Sequence, residues 1–268
     1  MKSTNEAYIP TNDTPIPVND YGRQVLDLVA LMGETLLLNG AEISRVQTTM
    51  ELVSKAYNKD DIDVYAISNG IFVTLRHDDK TRCTHIKHVP LATPNLGRVT
   101  QINALSRKIV EQDLPLQDAM DEMQAICRVP AFPLWLQIIA CALGSSCFCY
   151  LFGGSVLDFF AAAPVGILLC FAQYAMANAK LSKMIQTILG SALVTLCGAI
   201  IAQFFPVLHM DRIIIGGLII LVPGVPFTTS IRDFFNGDYL SGTIRLIDAL
   251  LVALCMAIGV GAVYYIFI

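Results

Sequence analysis

Leu221-Val222-Pro223-Gly224-Val225-Pro226-Phe227-Thr228-Thr229-Ser230-Ile231-Arg232-Asp233 closes an apolar segment that begins near residue 211. A run of about 20 apolar residues can cross a bilayer as a helix. A helical proline, however, lacks its N–H and clashes with the carbonyl four residues back. Pro223 is therefore expected to free the carbonyl of Ile219, and Pro226 that of Val222, with Gly224 allowing irregular backbone between them. Unpaired backbone at membrane depth is tolerated only inside protein or beside a wet cavity. Thr228, Thr229 and Ser230 then stand where they can cap a restarted half-helix, whose N-terminus offers N–H groups to a carboxylate. Transporters build mid-membrane sites from broken helices in this way. A proline kink without a ligand is the plainer alternative.

Four further apolar segments flank this one, at about 132–152, 155–176, 184–205 and 243–267. With 211–231 as the fourth in chain order, the sequence predicts five spans, joined by short links that make neighbours antiparallel. Lysine and arginine near span ends stay in the cytoplasm. With residues 1–131 inside, the inner loops hold Lys180, Lys183, Arg232 and Arg245, and the outer loops hold Arg212. The expected orientation is an N-terminal domain in the cytoplasm and Ile268 outside. Ala140, Gly144, Gly190, Gly198, Gly216, Gly217, Gly259 and Gly261 punctuate the spans, and small residues let helices pack closely in lipid.

The composition agrees. The chain has 268 residues, 54% of them hydrophobic, and only 15% charged, with a mean hydropathy of +0.58. Soluble domains carry about 25% charged residues. Residues 1–130 contain 13 Lys/Arg and 17 Asp/Glu, so the net charge of −4 arises there; residues 131–268 contain 5 of each. A purely soluble enzyme, a secreted disulfide scaffold and a disordered chain are excluded, and no basic block suggests nucleic acid. Six of the eight cysteines (Cys141, Cys147, Cys149, Cys170, Cys197 and Cys255) lie in apolar runs, where a thiol acts as a small apolar side chain. The start of the chain, residues 1–20, is polar and proline-rich, lacks the apolar core of a signal peptide, and reads as a disordered lead-in.

Residues 21–130 carry a second pattern. A helix is predicted at 21–39, capped by Asn19 or Asp20, with Asp27 and Glu34 on one face and a stop at Asn39-Gly40. A second helix covers about 42–57. Strands follow at 63–68 and 71–76 with Asn69-Gly70 as a hairpin turn, then a third from Cys83 to Val89 after the turn His77-Asp78-Asp79-Lys80. Helices return at about 96–112 and 115–127, and Val129-Pro130-Ala131-Phe132-Pro133 leads to the spans. The fold class expected is a cytoplasmic α+β domain with a small, mainly antiparallel sheet, followed by an all-α bundle of five transmembrane helices.

Other polar residues invite chemistry less strongly. Arg232 and Asp233 lie near the predicted cytoplasmic end of their span, where a snorkelling ion pair or a solvated cap competes with a functional role. Thr228 and Arg232 share a helix face, which favours a polar lining from the break to the cytoplasm. Arg245 and Asp248, three apart, are expected to pair structurally, and Asp158 to serve the dipole of the second span. Glu42 favours the start of its helix, with Arg45 near enough to neutralise it. Cys83, His85 and His88 do not make a metal site, because His85 and His88 point to opposite faces of a strand. No phosphate-binding loop, nucleophile elbow, zinc-protease or dinucleotide fingerprint occurs, so neither cofactor nor catalysis is expected.

Leu38-Asn39-Gly40-Ala41-Glu42, Ile67-Ser68-Asn69-Gly70, Leu221 to Pro226, and Arg232-Asp233 followed by Asp238, Ser241-Gly242 and Arg245 resemble the threonine/serine exporter-like family in order and spacing, from about 21 to 268. Members combine a cytoplasmic N-terminal domain with five spans and then a second, smaller hydrophobic region. Ending after five spans, the chain resembles the large subunit of a split exporter similar to the two-component bacterial succinate exporter. The resemblance implies export of threonine, serine or a dicarboxylate such as succinate across the bacterial inner membrane, a separate partner of about four spans, and a possible higher oligomer. The substrate-binding residues expected from the sequence are Pro223, Gly224, Pro226, Thr228, Thr229, Ser230, Arg232 and Asp233. The rival reading is a membrane-tethered enzyme or sensor that acts through its cytoplasmic domain.

Overall fold

The structure, a computed structural model, describes residues 20–57, 62–77, 81–89, 95–129 and 132–267. The lead-in before Asp20, including Asn19, lies outside them, as do Asp78, Asp79 and Lys80 of the predicted turn and Pro130-Ala131. The chain divides into two compact units between residues 129 and 130.

The first unit runs α1 (Asp20–Leu38), α2 (Ile43–Ala56), β1 (Ile62–Ile67), β2 (Gly70–His77), β3 (Thr81–His88), α3 (Leu96–Gln112) and α4 (Leu116–Arg128). The three strands form one antiparallel sheet in the order β1-β2-β3. Gly40 ends α1 as expected. At φ +83° it lets its own N–H reach Leu37 O at 3.1 Å and the Ala41 N–H reach Leu36 O at 3.1 Å, so two terminal carbonyls are satisfied. One core joins the elements: Val25, Leu28 and Met32 of α1, Val46 and Met50 of α2, Ile71 and Val73 of β2, Ile102 and Ile109 of α3, and Met123 of α4 are all buried.

The hairpin turns one residue earlier than the sequence suggested. Ile67 pairs with Gly70, so Ser68 and Asn69 form the loop. Neither has positive φ, so the mirror-image turn that makes Asn-Gly a signal is not used. Gly70 sits in a tight place: a Cβ there would stand 3.2 Å from the Lys87 carbonyl, closer than most Cβ contacts. Asp27 and Glu34 do share a face of α1, and that face receives β3. His85 Nδ1 lies 3.6 Å from Asp27, and Lys87 Nζ 3.4 Å from Glu34.

The second unit runs α5 (Leu134–Leu151), α6 (Val156–Asn178), α7 (Lys183–Phe204), α8 (Met210–Leu218), α9 (Gly224–Phe235) and α10 (Tyr239–Phe267). Four of these, α5, α6, α7 and α10, are long and apolar enough to cross a membrane. The predicted span at 211–231 is two shorter helices of 9 and 12 residues. At 1.5 Å per residue they measure about 13 Å and about 18 Å, each short of the roughly 30 Å hydrocarbon core.

Small residues set the packing. The Ser145 hydroxyl of α5 donates to Ala162 O of α6 at 3.0 Å. α8 wedges among α5, α6 and α7: a Cβ on Gly216 would stand 2.5 Å from Ser145 O, and one on Gly217 would stand 2.7 Å from Val194 of α7. Gly198 and Gly190 lie in similar contacts, whereas Gly144 and Gly261, expected to do the same, face open space. α7 and α10 run parallel. Lys183 meets Asp248 near their starts, and further along, a Cβ on Gly259 would collide with the Ser191 hydroxyl and the Ile188 carbonyl.

Candidate functional site

The interruption expected from the two prolines is present, and its chemistry differs from the expectation. α8 ends at Leu218 and α9 begins at Gly224. Pro223 has φ −79° and ψ 55°, and the Gly224 N–H donates to Val222 O at 2.8 Å, an inverse γ-turn centred on the proline. The Val222 N–H donates to Ile219 O at 3.2 Å. Both carbonyls predicted to be freed are therefore used within the turn. Pro226 falls in the first turn of α9, where its missing N–H costs nothing. The helix start offers fewer donors than a half-helix usually does: Gly224's is taken, Pro226 has none, and Phe227's goes to Pro223 O at 3.1 Å. The Val225 N–H is the donor still available there.

Thr228, Thr229 and Ser230 are not caps. They sit a turn inside α9, and their hydroxyls donate backward to carbonyls: Thr228 to Gly224 O at 3.0 Å, Thr229 to Val225 O at 2.7 Å, and Ser230 to Phe227 O at 2.7 Å. Helix α9 thus has two faces. Gly224, Thr228 and Arg232 lie on the exposed one, the polar line expected from the four-residue spacing. Ser230 and Asp233, both fully buried, lie on the other and pack onto α10.

The charges pair differently from the sequence reading. Arg245 does not pair with Asp248; its Nη1 lies 3.4 Å from Asp233 Oδ2, and both side chains are almost completely buried. Asp248 is taken by Lys183 of α7 at 2.8 Å. Asp233 is therefore neither a solvated cap nor a snorkelling group. Removing a carboxylate and a guanidinium from water is costly unless they neutralise each other. Ser241, one turn before Arg245 on the same face of α10, is buried too. From Lys183 a row of buried hydroxyls ascends α7 at four-residue spacing, Thr187, Ser191 and Thr195.

The turn between α9 and α10 sets this geometry. Gly237 has φ +85°; its N–H reaches Phe234 O at 3.1 Å, and the Asp238 N–H reaches Asp233 O at 2.9 Å. That turn folds α9 back along α10. It also seats Phe234 on Gly242, where a Cβ would stand 2.9 Å from the ring.

At the opposite end of the bundle, Asp158 does more than serve a dipole. With Ser155 it forms a capping box: Ser155 N–H donates to it at 2.7 Å, and its own N–H donates to Ser155 Oγ at 3.2 Å. It also accepts the His209 N–H at 2.8 Å and faces His209 Nδ1 at 2.9 Å, which ties α6 to the residue capping α8. Arg212, at the same end, donates to the Phe152 carbonyl. An apolar hollow of about 530 Å³, lined by Leu157, Pro164, Ile201, Phe204 and Leu208 among others, opens beside α6 and α7 and brings no charged side chain to a ligand.

In the first unit, Glu42 is the N-cap residue of α2 and lies 3.4 Å from Arg45. Burial pushes the Asp27 carboxyl up from its ordinary range, with His85, Arg23 and Lys87 pulling the other way. His88 points away from His85 to an exposed position, and among the described residues no three His, Cys, Asp or Glu side chains gather to hold a metal.

Sequence reasoning missed Arg245 as the partner of Asp233, the Lys183–Asp248 pair, and His209. A signal existed for two of these sites. Ser155-x-x-Asp158 is a capping-box spacing, and Ser241 and Arg245 share a helix face at four-residue spacing. The match of Asp233 to Arg245 depends on a turn at Gly237 that no periodicity encodes.

Comparison with known proteins follows the same elements. A family model described as "ThrE: Putative threonine/serine exporter" matches residues 27–267. A "Probable succinate transporter subunit YjjP" from Escherichia coli is 24% identical over 247 residues, covering 89% of this chain and 93% of that protein. A "Probable threonine/serine exporter" from Mycobacterium tuberculosis is 23% identical over 240 residues, 89% of this chain and 45% of that protein. A "Threonine/serine exporter" from Corynebacterium glutamicum is 23% identical over 267 residues, 94% of this chain and 53% of that protein. The chain thus spans about half the length of the mycobacterial and corynebacterial relatives. No solved structure matches it. With the match running from within α1 to the end of α10, the chain belongs to the threonine/serine exporter family.

Proposed function

We propose that the chain is the large subunit of a secondary exporter that moves a small carboxylate-bearing metabolite, threonine, serine or a dicarboxylate such as succinate, out of the bacterial cytoplasm. The observation that carries this reading is the family match over residues 27–267. Two relatives are named threonine/serine exporters, and a third is named a subunit of a succinate transporter. That third protein is named as a subunit, which supports a separate partner for this chain.

The parallel course of α7 and α10 supports five crossings. The chain leaving the end of α7 must return to the other side before α10 starts beside Lys183, and α8 and α9 lie in that interval. Taken together, the broken pair is then the fourth crossing. The first unit lies in the cytoplasm, with Lys183, Arg245 and Arg232 toward that side and Arg212 toward the other. The end of α10 lies outside.

The site lies on α9. Its residues are Gly224, Thr228 and Arg232 on the exposed face, Ser230 and Asp233 on the face packed onto α10, and the half-buried Pro223, Pro226 and Thr229. Arg232, on the exposed face with Thr228, attracts the anion from the cytoplasm. The turn at Pro223 and Gly224 keeps α9 a separate body that moves against the packed helices. To test the role, cells loaded with threonine, serine and succinate are followed for efflux, with the chain alone and with a candidate four-span partner. Efflux dependent on the chain is expected; no efflux of any of the three in either arrangement would reject the reading.

A further inference from the structure

We propose that Arg245 and Asp233 together form the binding site for a zwitterionic α-amino acid, which enters by parting their ion pair: its carboxylate goes to Arg245 and its ammonium group to Asp233. The inference rests on the exporter reading and assigns the two charged anchors within it. Ionisable side chains inside membrane segments are costly, and they mark substrate or ion pathways more often than scaffolding. These two are almost completely buried and meet through a contact of 3.4 Å, longer than the 2.7–2.9 Å of a tight charge-assisted bond. Buried hydroxyls adjoin them, Ser230 on α9 and Ser241 on α10. The next charged pair along α10, Asp248 with Lys183, is neutral as a unit.

Electroneutrality selects the ligand class. A zwitterion inserted between Asp233 and Arg245 leaves the desolvated site with the net charge it had before, because each side chain exchanges one opposite charge for another. A dicarboxylate adds two negative charges beside Asp233 with one guanidinium to meet them, and buried like charges repel strongly.

The fold also supplies the motion. α9 has 12 residues, with α10 as its principal neighbour. It is tethered at one end by the Pro223 turn and at the other by Gly237, and a Cβ at Gly224 or Gly237 would meet nothing within 4 Å. Swinging α9 from α10 separates Asp233 from Arg245. A charge left alone in the bundle opposes that swing, and an amino acid bound to both charges removes the opposition.

The test compares threonine, serine and succinate efflux from cells expressing the full chain and its candidate four-span partner, using D233N, R245K and D233N/R245Q, with membrane abundance and thermal unfolding measured alongside. The neutral pair D233N/R245Q leaves no lone charge. It is expected to reach wild-type abundance while losing threonine and serine efflux by about a hundredfold, the loss of two charge-assisted bonds. D233N alone is expected to depress amino-acid efflux at least tenfold. R245K keeps the charge but loses the planar fork; it is expected to raise KM for the amino acids with kcat little changed, and it decides the matter should the neutral pair fail to accumulate. Wild-type amino-acid efflux from D233N/R245Q, or an unaltered KM in R245K, would overturn the proposal and reduce the pair to a structural bond. Succinate efflux without amino-acid efflux from the wild type would overturn it too, while leaving the exporter reading intact. No efflux of any of the three would reject both.

Discussion

Replacing Pro223 and Pro226 together by alanine should close the break between α8 and α9 and stop transport while leaving the protein inserted. A proline in a helix interior costs about 3 kcal/mol relative to alanine. In a straight helix from Met210 to Phe235 both prolines would be interior, so about 6 kcal/mol opposes straightening. In the observed turn Pro223 is the N-cap residue of α9 and Pro226 lies in its first turn, so neither pays that penalty. The double variant removes the opposition and gains two N–H groups for Ile219 O and Val222 O, each worth about 1 kcal/mol. Pro223→Ala alone leaves about half of the bias and should keep most of the break. Efflux and hydrogen exchange at the amides of residues 219–227 are the measurements. Slowed exchange with at least a tenfold loss of efflux in the double variant, and a smaller change in the single one, is the expected pattern. Protected amides with wild-type efflux would mean that an interrupted helix is not needed for transport. Amides that still exchange fast would mean that the prolines are not what interrupts it.

Gly259→Val drives a side chain into Ser191 and the Ile188 carbonyl of α7; a loss of about 1–3 kcal/mol is expected in thermal unfolding, against no loss for Gly261→Ala, where nothing lies within 4 Å. Tyr57 donates to Leu114 O at 2.9 Å, and burial, then the charges of Tyr21 and Asp118, push its phenol up to about 12. The folded chain therefore holds that proton longer than the unfolded one. The stability this contributes is complete below pH 10 and is lost as the pH rises toward 12. Tyr57→Phe should cost about 1 kcal/mol at neutral pH and flatten this alkaline decline in denaturant titrations followed by circular dichroism. Asp158→Asn weakens bonds to Ser155 and His209 at once, and a loss of about 1–3 kcal/mol is expected. In a cycle with His209→Ala the two losses should fall short of adding, and full additivity would mean that the side chains do not act as one unit.

The strongly periodic parts of the fold were legible in the sequence. Asn39-Gly40 announced the end of α1, the alternation of Ile71, Val73 and Leu75 announced β2, and uninterrupted apolar runs announced α5, α6, α7 and α10. What failed was whatever depends on a turn. Asn69-Gly70 carries a strong hairpin signal, yet the loop uses Ser68 and Asn69, and Gly70 pairs with Ile67 as the first residue of β2. Pro223 and Pro226 located an interruption, but not the γ-turn that uses the released carbonyls. Arg245 and Asp248 looked paired because spacing along one helix is visible in a sequence; Asn236-Gly237 carries the same stop signal as Asn39-Gly40, but a stop does not say which residues of α9 and α10 then meet. Lys183 and Asp248 are 65 positions apart, and no local pattern links them.

The two ends of the helical bundle are joined by different means. Around Asp158 a single carboxylate binds two backbone amides and an imidazole, so the starts of α6 and α8 are clamped from several directions. At the far end α9 folds back onto α10, with Asp233 beside Arg245 and a ring laid over Gly242. A shift at the Asp158 rim is thus carried from α6 to α8 through main-chain amides, whereas a shift of α9 reaches α10 through packed side chains.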